Sequence, residues 1–415
     1  MIKLNFDVKK SFLDNGLKVL TIKKDTQISA INVGVKVGAM YENMSEKGIS
    51  HFIEHMLFKG TVNRNNEVLN NELEALGGEY NAYTDYESTV YTISCLDEEL
   101  KNAIILLGDM ITSSTFEEEE IEKERGVILA EIRSGKDDVE DLSFKKVNEI
   151  AFEKSPLKYE VTGLEKVVKN LKREEIYNFY KSFYVPNNTV ITLVSSYEHE
   201  EALELIKEQF SNWKGSEVPS KNFVIEENKN KKVTSYKKDI EQSTIIYLYT
   251  FYDIEKRDEL PLRILNHRLG ESSNSLLFRE VRENRGLAYD IYTHLDMTKS
   301  VKTLYIFTAV AKEDISEAKK AIDETIDNVI NGHVVFGEND LEIMKKVHKT
   351  AVISTLEDSA ELCNYILHQE LENEDIFEFV NDMSELNSIN KAMINKVAKN
   401  VLKKPTIHIL TSKEE

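Results

Sequence analysis

The predicted secondary structure occurs in the same order twice along the chain, and this repeat restricts the fold more than any other feature. Each half contains a strand, helices, a strand-rich stretch, more helices and a final β-branched strand. The segment that joins the halves, from Trp213 to Lys232, is rich in polar residues. The sequence therefore predicts a domain at 1–214, a linker at 215–232 and a similar second domain at 233–415, with about 200 residues in each domain.

The periodicity of apolar residues places the individual elements. The first half has strand patterns at 12–37 (around an Asn15-Gly16 turn), 80–95 and 189–194, and helical patterns at 49–59, 66–76, 100–112, 116–133 and 173–183. The second half has strand patterns at 243–251, 289–310 and 406–410, helical patterns at 260–269, 275–284, 315–329 and 389–402, and a helix opening at Phe336. We expect an α+β fold in which each domain packs a sheet with helices.

Composition and charge exclude several classes of protein. Of the 415 residues, 41% are hydrophobic and 30% are charged, and no apolar run approaches the roughly 20 residues of a membrane span. The formal charge of −20 argues against nucleic acid as a partner, because binding it requires a basic surface. The N-terminus lacks a signal-peptide core, and Cys95 and Cys363 lie in no paired motif. We expect a cytoplasmic protein with reduced, buried thiols.

Two histidines and a glutamate share one face of the helix predicted to begin near Gly48. His51, Glu54 and His55 occupy positions i, i+3 and i+4, so their side chains project together. Two imidazoles can bind zinc and leave places for a third protein ligand and a water, whose proton Glu54 could accept. This H-x-x-E-H order is the inverzincin motif. The alternative is a pair of surface histidines flanking a solvated glutamate.

Several motifs in order along the chain resemble one family of zinc peptidases. The segments are HFIEHMLFKGT at 51–61, GGEYNAYT at 77–84, ERGVILAE at 124–131 and VRENRGLAY at 281–289. They are similar to the pitrilysin and insulysin family of inverzincins, and most closely to its mitochondrial processing peptidase branch. The resemblance covers nearly the whole chain and implies a half-shell of two similar α/β-roll domains.

The resemblance also implies a complete set of metal ligands. The family's third ligand is a glutamate on a later helix, and Glu131 stands at the corresponding place, 76 residues after His55. One Zn²⁺ per chain would then be held by His51, His55 and Glu131, and Glu54 would activate the water. Glu124 would support the site without binding the metal, by orienting a histidine. The alternative for both Glu124 and Glu131 is the charged face of an acidic helix.

Substrate-binding residues are implied in both halves. The 80–86 stretch resembles the edge strand with which the family binds extended peptides, and in the second half Arg282 and Tyr289 resemble a pair that stabilises the substrate carbonyl. A surface arginine and a core tyrosine are the alternative for that pair. The candidate substrate-binding residues of the first half are Asn81, Ala82, Tyr83, Thr84 and Asp141. Processing peptidases have a second acid where this chain has Lys145, so we expect no strict requirement for arginine.

These observations predict a zinc-dependent endopeptidase or oligopeptidase that hydrolyses short unfolded peptides in an enclosed chamber. One half-shell does not enclose a chamber, so the family resemblance implies a dimer. A homodimer is preferred because this chain carries both the zinc residues and the arginine–tyrosine pair; a heterodimer with an inactive sister chain is the other arrangement. The alternative function is a non-catalytic or partner-dependent subunit of a heterodimeric processing peptidase. We expect peptides as partners, and neither nucleic acid nor membrane.

Overall fold

A computed structural model of the chain describes residues 5–334 and 338–413. Its strands are β1 (Phe6–Phe12), β2 (Lys18–Lys24), β3 (Ile28–Val35), β4 (Glu79–Thr84), β5 (Thr89–Leu96), β6 (Thr189–Ser195), β7 (Lys232–Tyr236), β8 (Ser243–Thr250), β9 (Ala288–Met297), β10 (Lys302–Val310) and β11 (Thr406–Thr411). Its helices are α1 (Ile49–Met56), α2 (Asn66–Ala75), α3 (Leu100–Ser113), α4 (Glu118–Asp137), α5 (Val139–Ala151), α6 (Glu165–Val168), α7 (Arg173–Phe183), α8 (His199–Phe210), α9 (Glu259–Asn266), α10 (Ile315–Ile330), α11 (Glu338–Glu357), α12 (Ser359–Glu372), α13 (Glu378–Glu385) and α14 (Lys391–Val401). Among these described helices, none combines the length and apolar composition of a membrane span.

Most predicted elements are confirmed, with some differences. The strand patterns at 80–95 and 289–310 are each two strands, β4 with β5 and β9 with β10, which form hairpins. The pattern at 275–284 is π-helical from Phe278 to Asn284, and α9 continues into a second π-helical segment, His267–Glu271. These wider turns bring Gly270 so close to β9 that an added Cβ would lie 2.4 Å from the Thr293 side chain. Phe336, expected to open a helix, lies outside the described residues.

Contacts group the chain into two compact units that do not follow the halves of the sequence. The first consists of the described residues within Met1–Arg133, Glu160–Asn222 and Val352–Glu378, and the second of those within Ser134–Tyr159, Phe223–Ala351 and Phe379–Glu415. Helix α5, from the first half, therefore belongs to the second unit, and α12, from the second half, belongs to the first. The boundaries at 214 and 233 stay a prediction of where the sequence repeats meet.

The first unit is a six-stranded sheet covered by helices on both faces. The strand order is β1-β2-β6-β3-β5-β4, with β2 and β6 parallel and the other pairs antiparallel. One face of β3 carries Ile31 and Val33 into an apolar core that it shares with α1 and α3. The opposite face packs against α12 so closely that a Cβ on Gly34 would lie 2.9 Å from Leu371 Cδ1. Glycine is the residue that fits there.

The second unit is a five-stranded sheet built in the same manner. Its order is β7-β11-β8-β10-β9, and its main core joins one sheet face to α9, α10 and α14. Helix α5 covers the other face, where Phe144 packs 5.1 Å from the Tyr305 ring and Asn148 accepts a hydrogen bond from the Tyr305 hydroxyl at 2.9 Å. Together with the first unit, this confirms the predicted α+β class of two domains.

Buried His408 on β11 should make the stability of this unit depend on pH. Its side chain is fully buried, neither ring nitrogen has a hydrogen-bond partner, and burial, followed by the charge of Lys146, lowers its pKa to about 4. Between pH 6.5 and about 4 the unfolded chain binds a proton that the folded chain does not. The free energy of unfolding is therefore fully maintained above pH 6.5, and it decreases by up to about 3 kcal/mol as the pH falls toward 4.

Thermal unfolding midpoints measured from pH 7 to pH 4 check this expectation. The His408→Leu variant, which cannot titrate at this position, should show a flatter pH dependence than the wild type. The matched control is His333→Gln at an exposed histidine, which should keep the wild-type slope. Equal slopes for wild type and His408→Leu would contradict the assignment.

Candidate metal centre

The helix that carries the H-x-x-E-H motif begins at a glycine held in a left-handed conformation. Gly48 has φ 101°, and a Cβ there would lie 2.8 Å from the Thr162 carbonyl oxygen. Its position therefore requires glycine both for backbone freedom and for space. Because no capping side chain is adjacent, the buried Glu42 carboxylate accepts hydrogen bonds from the N–H groups of Gly48 (3.0 Å) and Ser50 (2.9 Å). A carboxylate at this end also complements the helix dipole.

Burial raises the pKa of the Glu42 carboxylate to about 7. The hydrogen bond from the Gly48 N–H and the charge of Lys47, whose ammonium lies 3.8 Å away, act in the opposite direction. Lys47 in turn donates to the Ala39 carbonyl oxygen at 2.8 Å. The loop before α1 is thus fixed by a buried network, which holds the helix and its histidines in place.

The structure brings His51, His55 and Glu131 together. His51 Nε2 lies 3.7 Å from Glu131 Oε1, and His55 Nε2 lies 3.9 Å from Glu131 Oε2. One ligand atom from each of the three residues lies within 4.8 Å of the others, and among the described residues this is the one such group that could hold a metal ion. Ligands at tetrahedral positions around zinc are about 3.4 Å apart. The donor set and its spacing therefore fit a zinc ion.

Each of the two histidines offers one ring nitrogen to a metal ion. Burial, followed by the neighbouring His55, lowers the pKa of His51 to about 4, so its imidazole is neutral at pH 7. His55 Nδ1 lies 3.0 Å from Glu124 Oε2, and since a carboxylate only accepts, Nδ1 carries the proton. In the neutral ring, the lone pair of His55 is then on Nε2, which lies on the side of Glu131. Burial opposes protonation of His55, but its hydrogen bond to Glu124 and the surrounding carboxylates outweigh burial and raise its pKa.

Glu124 lies behind the histidines rather than on a solvated helix face. It is 6% exposed, and its second oxygen accepts from the Lys59 ammonium at 2.7 Å. Burial alone would raise its pKa, but the hydrogen bonds from His55 and Lys59 hold the pKa below its usual value. Seven residues further along α4, Glu131 reaches the histidines from the same side of the helix. Glu131 thus faces the candidate metal position, whereas Glu124 orients His55.

Glu54 lies between the histidines and is held by the end of β4. The Thr84 hydroxyl donates to Glu54 Oε2 at 2.6 Å. Burial raises the pKa of Glu54, while the Thr84 hydroxyl and the charge of His55 oppose that rise. The hydroxyls of Tyr91 and Tyr184 form a buried pair 2.9 Å apart. Burial raises the pKa of both, and the charge of Glu54 adds a smaller contribution, so the pair lies in the same neighbourhood. The residue is thus a half-buried carboxylate suited to accept a proton.

Strand β4 forms the edge of the first sheet, as the sequence predicted for a substrate strand. The Asp85 N–H donates to the Ser88 carbonyl at 2.9 Å, and since bonded and non-bonded pairs alternate, the backbone groups of Tyr80, Ala82 and Thr84 face away from β5. The Ala82 N–H is covered by Asn81 Oδ1 at 2.9 Å. An added peptide strand would compete with that side chain.

Two contacts of β4 were not predicted from the sequence. The Tyr83 hydroxyl lies 2.7 Å from both Asn364 Oδ1 and His368 Nε2, on α12. The Thr84 side chain turns to Glu54 instead of to the free edge. No local pattern in the sequence indicates either contact, because each joins residues far apart in the chain.

The remaining predicted residues lie in the second unit. The Arg282 guanidinium carbon stacks 4.6 Å from the Phe278 ring centroid and 4.9 Å from that of Tyr289. Tyr289 is 78% exposed, so the alternative of a core tyrosine is wrong. Asp141 lies in the first turn of α5, where burial, followed by the charge of Asp138, raises its pKa. The substrate-binding roles of Arg282, Tyr289 and Asp141 stay a prediction.

Both halves of the chain match models of known protein families. Residues 18–164 match the family model of insulinase (peptidase family M16), and residues 170–347 match that of the peptidase M16 inactive domain. A protein of Rickettsia bellii, named an uncharacterized zinc protease, is 34% identical over 327 residues, which are 77% of each chain. The mitochondrial-processing peptidase subunit beta of Dictyostelium discoideum is 34% identical over 221 residues, 52% of this chain and 46% of that subunit.

The fold agrees with these matches. A protease from Helicobacter pylori, whose crystal structure is known, superposes with a TM-score of 0.91 over 98% of this chain and 99% of that one, at 22% sequence identity. At that identity the likeness concerns the fold alone. From the sequence matches, the chain belongs to peptidase family M16, the insulinase family of metallopeptidases.

Proposed function

We propose that this chain is a zinc-dependent peptidase that hydrolyses short unfolded peptides. The observation that carries the proposal is the convergence of His51, His55 and Glu131, with Glu54 between the histidines on the same helix face. Neutral imidazoles and a carboxylate are the donors that zinc takes in hydrolytic sites with one open position. The name of the Rickettsia relative supports the same metal.

The roles of the chain's own groups follow from their positions. When bound, a zinc ion supplies Lewis-acid chemistry, polarising a carbonyl oxygen and lowering the pKa of water. Glu54 accepts the proton of the attacking water and later returns it to the leaving amine. Glu124 keeps the proton of His55 on Nδ1, so that Nε2 remains a ligand.

The substrate class follows from the free edge of β4. A peptide that adds as a strand is bound through its backbone, so many sequences are accepted provided that the segment is extended and unfolded. The outward backbone groups of Tyr80 and Ala82 precede Thr84, whose side chain reaches Glu54. An added strand would therefore run toward the proposed base. Asn81 and Tyr83 flank these groups, while the role of Arg282 and Tyr289 at a substrate carbonyl stays a prediction from the family resemblance.

The alternative is a non-catalytic or partner-dependent subunit. It is favoured by the partial match to a chain that is named as one subunit of a processing peptidase. A homodimer with one zinc ion in each chain and a cytoplasmic location stay predictions from the sequence. The presence of all four candidate residues, His51, Glu54, His55 and Glu131, favours the enzyme.

Removal of the metal should abolish peptide hydrolysis reversibly. Zinc-loaded protein is expected to cleave a quenched, unstructured basic peptide, and chelation should lower the rate at least about 100-fold, as loss of several kcal/mol of transition-state stabilisation would. One equivalent of zinc should restore the rate, whereas magnesium should not, because the nitrogen donors suit zinc.

Two outcomes would decide between the candidate functions. Cleavage that survives complete chelation would contradict metal-dependent hydrolysis. Protein that binds zinc but cleaves neither this peptide nor a varied peptide pool would favour the partner-dependent subunit, and co-purification should then identify a second chain.

A further inference from the structure

The nearest acceptor to the hydroxyl of Thr84 is the proposed base. The hydroxyl lies 2.6 Å from Glu54 Oε2, at the end of the edge strand. The other acceptor within reach, the hydroxyl of Thr89, is much farther away at 3.5 Å. Since a hydroxyl carries a single proton, the proton of Thr84 is committed to Glu54.

We propose that Thr84 is a positioning residue that fixes the carboxylate of Glu54, an inference that rests on the proposed function. The bond to Oε2 leaves Oε1 as the oxygen available to a water molecule. A glutamate side chain has three rotatable bonds, and holding it in one rotamer before the reaction removes an entropic cost from the chemical step. The sequence motif indicated Thr84 as a substrate contact, whereas its side chain points to the base.

The same bond joins substrate binding to catalysis. Thr84 belongs to the strand whose outward backbone groups would pair with the peptide, so a strand added at Ala82 would lie directly beside the residue that holds Glu54. The base and the binding edge are thereby fixed relative to each other within one unit, through the side chain and backbone of one residue. Their relative position is what a hydrolytic site must control most closely, because a misplacement of 1 Å can cost about 100-fold in rate.

The test compares Thr84→Val, which keeps the shape but removes the hydroxyl, with Thr84→Ser, which keeps the hydroxyl. For zinc-loaded Thr84→Val we expect kcat to fall by about 10–100-fold, with KM within about twofold and the zinc content unchanged. Thr84→Ser should recover most of the lost kcat. The matched control is Thr92→Val on β5, whose hydroxyl donates to the Asn81 carbonyl at 3.3 Å and does not contact Glu54. It should retain the wild-type kcat.

A second measurement does not depend on activity. Crystal structures of the metal-free wild type and of Thr84→Val should show one ordered Glu54 rotamer in the first and a displaced or disordered carboxylate in the second. The inference is overturned if Thr84→Val keeps the wild-type kcat, if it changes KM alone, or if Glu54 stays in place without the hydroxyl. A wild type that cleaves no peptide overturns the proposed function and the inference with it. If the wild type is active and the Thr84 variants do not behave as expected, the proposed function stands and the inference about Thr84 alone is wrong.

Discussion

Replacement of Glu54 by glutamine should abolish peptide hydrolysis while the protein keeps its zinc. Glutamine has the shape of glutamate, and its amide oxygen can still accept the hydrogen bond from Thr84. It cannot accept a proton at neutral pH, so the step that generates the nucleophile loses its base. General-base catalysis contributes about 100–10,000-fold to rate, and we expect a loss in kcat of that size.

Quenched-peptide kinetics and metal analysis of the same samples measure this effect. Glu119→Gln provides a matched control, because Glu119 is the same residue type on α4 with an 83% exposed side chain that pairs with Lys123. The control should keep both zinc and activity. If Glu54→Gln retained a rate within a few fold of the wild type, the base would have to be another residue.

Glu131→Ala should lose zinc to a far greater degree than Glu124→Gln does, although the two glutamates lie on one helix. Glu131 presents its oxygens to the Nε2 atoms of both histidines, at 3.7 and 3.9 Å, and its removal leaves two protein ligands. Glu124 touches His55 only through Nδ1. Loss of such a supporting partner lowers metal affinity by about 10–100-fold, and loss of a direct ligand should exceed that range.

Competition with a chromogenic chelator at constant pH gives both affinities. Glu119→Gln again serves as the control, since it alters the charge of α4 without touching a histidine. A larger loss of zinc affinity in Glu124→Gln than in Glu131→Ala would reverse the roles assigned to the two residues.

The parts of the site that the sequence could predict are those that lie within one helix or recur as a motif. His51, Glu54 and His55 share a helix face by spacing alone, and the structure places them so. Glu131 depended on the family resemblance, because its helix α4 carries many glutamates and no spacing rule separates the ligand from the others. The hairpin around Asn15-Gly16 and most helices followed from apolar periodicity and turn residues.

The parts that could not be predicted depend on contacts between distant segments. The bond from Thr84 to Glu54 exists because the sheet edge passes beside α1, which no local pattern encodes. Helices α5 and α12 were not predicted, and their buried faces explain why. That of α5 includes Ser143 and Ala151, and that of α12 includes Glu370, which pairs with Lys10 and Lys18. Small or charged residues at buried positions hide the helical periodicity.

The placement of α12 in the first unit has a consequence for biosynthesis. The last strand of the first sheet, β6, leaves the ribosome well before α12 does, and at roughly 5–20 residues per second the interval is on the order of 10–30 s. During that time one face of the nascent sheet has no cover. On β3 this face carries Ala30, Asn32 and Gly34, which are small or polar, but their partners on the neighbouring strands include Val90, Val190 and Val194. The nascent first sheet therefore exposes these valines until α12 is synthesised and covers them, which makes the interval a period of aggregation risk.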